Sequence, residues 1–207
     1  MRSLVRLYIV VSLAVLVGCA TGATLRVPSG ETIRVANVRA GSLELLPPGD
    51  AAYEAADPKG ATGAPGEGKV VAPYVVRLTR DLTVYRLWSG PLVKNAQGET
   101  SRIGQWWTFE PPAGTLPSFR SRYEVCESWS SLRWVATCTL KRGAVVVIGG
   151  GQSVSSQTCG RPNESYPANP RDLQVYIHEA WKQDKLSCPP AGADYLDDPM
   201  DISTTSR

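Results

Sequence analysis

The chain has 207 residues, 43% of them hydrophobic and 20% charged, with a formal net charge of +3. That balance excludes collagen-like and wholly disordered classes, and no Lys/Arg cluster marks a nucleic-acid-binding face. Nineteen glycines, sixteen prolines, six tryptophans and eight tyrosines favour turns and short strands over long helices.

Residues 1–18 read as an export signal. Met1-Arg2-Ser3-Leu4-Val5-Arg6 is a short basic start, and the run from Leu7 to Val17 is apolar except for Ser12. It is too short for a permanent span, which needs about 20 residues. It ends in Leu16-Val17-Gly18-Cys19, which resembles the bacterial lipobox. The resemblance implies a bacterial lipoprotein that is cleaved before Cys19, acylated on that cysteine and held at the membrane by lipid. Ala20, where an aspartate would favour the inner membrane, implies the periplasmic face of the outer membrane.

Residues 19–46 read as a tether and a small β segment, with strands over 24–27 and 32–38 around Pro28-Ser29-Gly30, and another over 43–46. Residues 47–68 are rich in Pro, Gly and Ala without apolar periodicity and read as a linker or long surface loop. The main globular domain is expected over 69–189. Its strands are expected over 70–78, 82–88, 103–109, 133–140, 144–148 and 173–177. Short helices are expected within 118–129 and 177–185. Residues 190–207 carry four aspartates and read as a disordered tail. The fold class is α+β and strand-dominated, a compact mixed β core with one or two short helices.

Setting Cys19 aside leaves Cys126, Cys138, Cys159 and Cys188, an even count that reads as two disulfides in an exported protein. Of three pairings, Cys126–Cys138 with Cys159–Cys188 closes the shortest loops and is the expected one. No C-x₂-C spacing supports zinc, so no metal is expected.

Few residues offer chemistry locally. Gly149-Gly150-Gly151 follows an apolar strand but lacks a Gly-Lys-Ser/Thr, and position 154 is Val, so it reads as a tight turn or bulge. Ser153 is in no G-x-S-x-G elbow, and the single histidine, His178, reads as a surface or capping residue. Glu124, Glu127, Glu164 and Glu179 are the carboxylate candidates, and no spacing singles out two of them.

Three pieces stand in order along the main domain. They are Leu82-Thr83-Val84-Tyr85-Arg86-Leu87-Trp88, Gly104-Gln105-Trp106-Trp107-Thr108-Phe109 and Leu173-Gln174-Val175-Tyr176-Ile177. This order resembles the ADP-ribosyltransferase superfamily, in its toxin-like branch that includes NAD glycohydrolases. The resemblance implies NAD as substrate and Arg86 on its pyrophosphate. It implies Trp106 and Trp107 stacked on the cationic nicotinamide ring and Thr108 near the ribose. Gln174 would hold the ribose or the attacking water, so Arg86 and Gln174 are the implied catalytic pair. A neutral Gln stabilises an oxocarbenium-like state less well than a carboxylate. The chain thus admits two functions: an NAD-using enzyme, or a non-enzymatic envelope lipoprotein binding a protein partner such as an inhibitor, immunity or assembly factor.

Overall fold

The structure is a computed structural model that describes residues 22–27 and 29–190. The expected export signal, Cys19 and residues 191–207 of the expected tail lie outside the described residues.

Alternating and β-branched stretches form most of the strands. The first hairpin is β1 (Gly22–Arg26) with β2 (Thr32–Ala36), antiparallel from Gly22↔Ala36 to Arg26↔Thr32. Strand β3 (Leu43–Leu45) then pairs antiparallel with β4 (Tyr74–Leu78). Between them lie α1 (Ala51–Ala55) and α2 (Pro58–Ala61). Next come β5 (Leu82–Trp88), β6 (Trp106–Trp107) and α3 (Leu116–Tyr123). The chain closes with β7 (Trp134–Leu140), β8 (Val145–Gly151), α4 (Ser156–Cys159), β9 (Asn169–Tyr176), a 3-10 turn at Ala180–Lys182 and β10 (Leu186–Ser187). Strand makes up 36% and helix 14%, so the fold is α+β and strand-dominated.

Among the described residues there are, beyond the hairpin, two antiparallel sheets. One runs β3-β4-β8-β9-β6 and the other β10-β7-β5. They join where the chain leaves β6. Thr108 exchanges both backbone hydrogen bonds with Tyr85 of β5, at 2.9 and 2.8 Å. The main core lies between the sheets and includes Val76, Val84, Trp88, Trp107, Ala136, Val146, Ile148 and Val175. Ala23, Leu25 and Val35 of the hairpin belong to it. Cutting a fully buried residue such as Ile148 to alanine is in the class costing about 2–5 kcal/mol. Strand β8 is continuously apolar because it is covered on both faces: Ile148 faces the main core, and Val147 a second cluster with Leu46, Ala56, Ala61, Val75 and Tyr176.

Several expectations are corrected. Residues 47–68 are not a free linker. Asp50 and Asp57 cap two short helices by accepting from Ala52 N (2.8 Å) and Gly60 N (2.9 Å), and Ala56, Pro58 and Ala61 are buried. The small β segment expected over 24–46 is present as β1, β2 and β3, and it packs into the main fold, since β3 is an edge of the larger sheet. The strand expected over 70–78 begins only at Tyr74, after Pro73, which has no N–H for a ladder. The strand expected over 103–109 keeps two residues. The helix expected within 177–185 is only the 3-10 turn. The three glycines lie inside β8, with a register shift between Gly150 and Gly151, so the bulge is present and the tight turn is not.

The disulfides are Cys126–Cys159 and Cys138–Cys188, not the shortest-loop pairing. Cys138 faces the main core from β7, beside the chain that follows β10. Cys126 lies after α3 in a separate cluster with Val154 and Cys159. Placement in the fold, not loop length, selects the partners.

Candidate functional site

A cleft of about 350 Å³ opens where the outer side of β5, the C-terminal end of α3 and the end of β9 meet. Its walls include Tyr85 and Leu87 of β5, Phe119 and Tyr123 of α3, and Trp129 and Leu132 from the following loop. Glu67 and Lys69 stand at another side. All five residues singled out from the sequence line it: Arg86, Trp106, Trp107, Thr108 and Gln174.

Most of these five are already engaged by the protein. Arg86 donates from Nε to Ser101 O (2.9 Å) and from Nη1 to Trp106 O (2.8 Å). It therefore holds the 101–106 loop, and only part of its fork remains for an anion. Burial pushes its guanidinium down to about 10. Gly104 makes room for it, since an added Cβ would lie 2.5 Å from Arg86 Cζ and closer still to Nη2. Trp107 is 2% exposed and donates from Nε1 to Gly104 O at 2.6 Å. Trp106 packs against Tyr176 with ring centroids 5.0 Å apart. Thr108 donates from Oγ1 to Glu110 O at 2.7 Å. Neither the two indoles nor this hydroxyl is laid out as a free ligand platform.

The residue that stands out is Glu124, one of the four carboxylate candidates. It follows α3, which starts with a Thr115–Ser118 capping box and ends where Glu124 takes a left-handed conformation (φ 50°). Glu124 is 2% exposed. Its Oε2 accepts from Gln174 Nε2 at 2.9 Å, and its carboxyl also receives the Asn169 backbone N–H. Oε1 is buried with no hydrogen-bond partner among the described residues. Burial pushes the carboxyl up to about 8. The hydrogen bonds from Gln174 and Asn169 oppose that rise, and the Asp172 charge adds to it.

The surroundings hold this carboxyl in place. Gln174 is 7% exposed, and its Nε2 also reaches Tyr123 O at 3.3 Å. A Cβ on Gly151 would fall on Glu124 Oε2 and lie 2.7 Å from Gln174 Nε2, so β8 must be bare there. Behind them, Arg122 Nη2 donates to Glu110 (2.8 Å) and Asp172 (2.7 Å). Burial raises the Asp172 carboxyl, but hydrogen bonds from Arg122 and Asn169 outweigh it and hold the group below its ordinary value. Non-glycine residues at positive φ are unusual and collect at functional sites. Lys69 (φ 68°), Glu124 (φ 50°) and Leu132 (φ 55°) are three such residues, and all line this cleft.

His178 is only part-buried, with Nδ1 3.4 Å from Asp57 Oδ2, outside this cleft. Among the described residues, the grouping of metal-type donors is Cys126, Cys159 and Glu164, and its sulfurs are spent on a disulfide. No described helix is long and apolar enough to cross a membrane. No protein-family model, curated protein or solved structure matches the chain.

Proposed function

We propose that the protein is an exported, lipid-anchored enzyme that hydrolyses the N-glycosidic bond of NAD on an ADP-ribosyltransferase-like scaffold. One observation carries the reading. Arg86, Trp106, Trp107, Thr108 and Gln174, drawn from three separated pieces of chain, line one cleft of ligand size. The anchor is the lipid on Cys19, at the periplasmic face of the outer membrane. Its substrate is therefore NAD outside the cytosol.

The roles differ from those the resemblance implies. Tyr85, Phe119, Tyr123 and Trp129 surround the nicotinamide ring, since Trp106 and Trp107 are packed into the protein. Arg86 shapes the loop beside the ring. Gln174 positions Glu124, and Glu124 supplies the carboxylate that the late strand lacks. The glycosidic electron pair leaves with the ring nitrogen, and nicotinamide departs neutral. Water forms the new bond to the ribose carbon, and Glu124 takes its proton. A base that titrates near the working pH suits that step.

The test is nicotinamide release from NAD by the full-length protein in detergent. Release that falls at least a hundredfold in Glu124→Gln supports the reading, in line with the usual range for acid–base groups. No release with millimolar NAD refutes it. A partner-binding lipoprotein is the second reading. It is favoured by Leu92 and Val93, which are 94% and 55% exposed on the loop after β5.

A further inference from the structure

The turns at one end of both sheets are basic. They are residues 37–42 before β3, 79–81 between β4 and β5, 141–144 between β7 and β8, and 183–185 before β10. Hydrogen bonds tie them together. Thr79 donates from N to Ser42 O (2.9 Å) and from Oγ1 to Gly41 O (2.6 Å). Asp81 Oδ1 accepts from Arg142 N at 2.7 Å, and Lys141 N donates to Lys185 O at 2.9 Å. These turns carry five cations, Arg39, Arg80, Lys141, Arg142 and Lys185, against two carboxylates, Asp81 and Asp184. Both carboxylates accept from backbone N–H groups. The Lys141 and Lys185 ammoniums donate to the neutral carbonyls of Gln183, Asp184 and His178. Among the described residues none of the five cations pairs with a carboxylate, and Arg39, Arg80 and Arg142 are exposed. The neighbouring acids Glu44 and Asp50 are held by Arg77.

The N-terminal strand starts at the same end. Gly22 opens β1 opposite Ala36, the residue just before the first of these turns. Three peptide steps separate Gly22 from Cys19, a reach of at most about 11 Å. A lipid on Cys19 therefore brings this end to the bilayer surface. Trp181, 55% exposed, stands two residues before Gln183, and tryptophan favours the headgroup level of a bilayer.

We propose that this end is a docking surface for anionic phospholipid headgroups, whose phosphates meet Arg39, Arg80 and Arg142, and that it sets how the anchored protein stands on the membrane. The inference rests on the lipid anchor proposed above and adds a second, electrostatic contact to it. Each basic residue near such a surface favours the contact about fivefold. Arg86, and Gly149 opposite Gln174, stand four residues along β5 and β8 from this end, about 13 Å. Docking therefore leaves the cleft open above the lipid.

The test places the full-length protein in nanodiscs of phosphatidylcholine, with and without phosphatidylglycerol, and follows acetylation of single lysines by mass spectrometry. Lys141 and Lys185 report on this end, and the exposed Lys69 and Lys94 report on the rest of the surface. Phosphatidylglycerol is expected to slow Lys141 and Lys185 at least threefold and to leave Lys69 and Lys94 unchanged. Molar salt should abolish the difference. So should replacing Arg39, Arg80 and Arg142 together with serine, a change confined to exposed side chains. Equal rates in the two kinds of disc, an equal slowing at Lys69 and Lys94, or a slowing that survives in the triple variant overturns the proposal. The first two of these outcomes need only the native protein, so a variant that fails to fold does not shield it. Intact mass separates the two readings. If Cys19 carries acyl chains and the slowing is absent, this inference alone fails. If Cys19 carries none, and preformed discs with phosphatidylglycerol still slow Lys141 and Lys185, the anchor reading alone fails.

Discussion

Replacing Glu124 with Gln removes one titrating group from the interior and keeps an oxygen that accepts from Gln174. Glu124 has its carboxyl raised from 4.5 to about 8 when folded. Between those values the folded chain holds one proton more than the unfolded chain. Folding stability therefore falls as pH rises, by ~1.4 kcal/mol per pH unit. The loss begins above pH 4.5, the ordinary value, and is complete once pH passes about 8. Across that window it amounts to roughly 4–5 kcal/mol, a large share of a typical domain's stability. Other groups also titrate, and Asp172, which is held below its ordinary value, acts in the opposite direction. The quantity to measure is thus the stability of the native protein minus that of Glu124→Gln, by urea unfolding from pH 4.5 to 8.5. The difference should move against the native protein by several kcal/mol as pH rises. A flat difference would show that the carboxyl ionises as easily inside as outside, and would refute the burial argument.

Gly151→Ala forces a methyl onto the Glu124 carboxyl, so it should cost about 1–3 kcal/mol of overpacking in urea unfolding and weaken any ligand of the cleft. Arg86→Ala removes the donor to the Ser101 and Trp106 carbonyls and should cost about 2–4 kcal/mol. An unchanged urea midpoint would mean that those contacts carry no stability. Peptide mapping of unreduced protein should recover Cys126 with Cys159 and Cys138 with Cys188; a Cys126–Cys138 peptide would reject the arrangement. The bonds span 33 and 50 residues, so replacing either pair with serine should cost about 4 kcal/mol on loop entropy.

Strands whose residues carry their own instructions were legible. Residues 82–88 were expected at the bounds that β5 takes, and all but Ala144 of the apolar run at 144–148 falls in β8, covered on both faces. The sheet order was not legible, because nothing local to β8 says that β4 and β9 flank it. The helices within 47–68 escaped because they have five and four residues and rest on two aspartate caps rather than on an apolar stripe. The three pieces holding Arg86, Trp106, Trp107, Thr108 and Gln174 did converge, but what their polar groups bond to was beyond reach. Arg86 is spent on carbonyls 15 and 20 residues away. Glu124 looked like any other carboxylate because its amide partner lies 50 residues later in the chain. Its one local mark, the left-handed cap, normally belongs to glycine or asparagine and is not announced by glutamate.

Cys126 stands two residues after Glu124, and its bond to Cys159 crosses to a different part of the chain. The cap that aims the carboxyl is thus moored covalently just beyond its unfavourable backbone turn. In a reducing compartment the two sheets have their own apolar core, while this corner depends on non-covalent contacts alone. The Cys126–Cys159 bond thus decides how firmly the Glu124 corner is held, whereas the sheets are held by apolar packing as well.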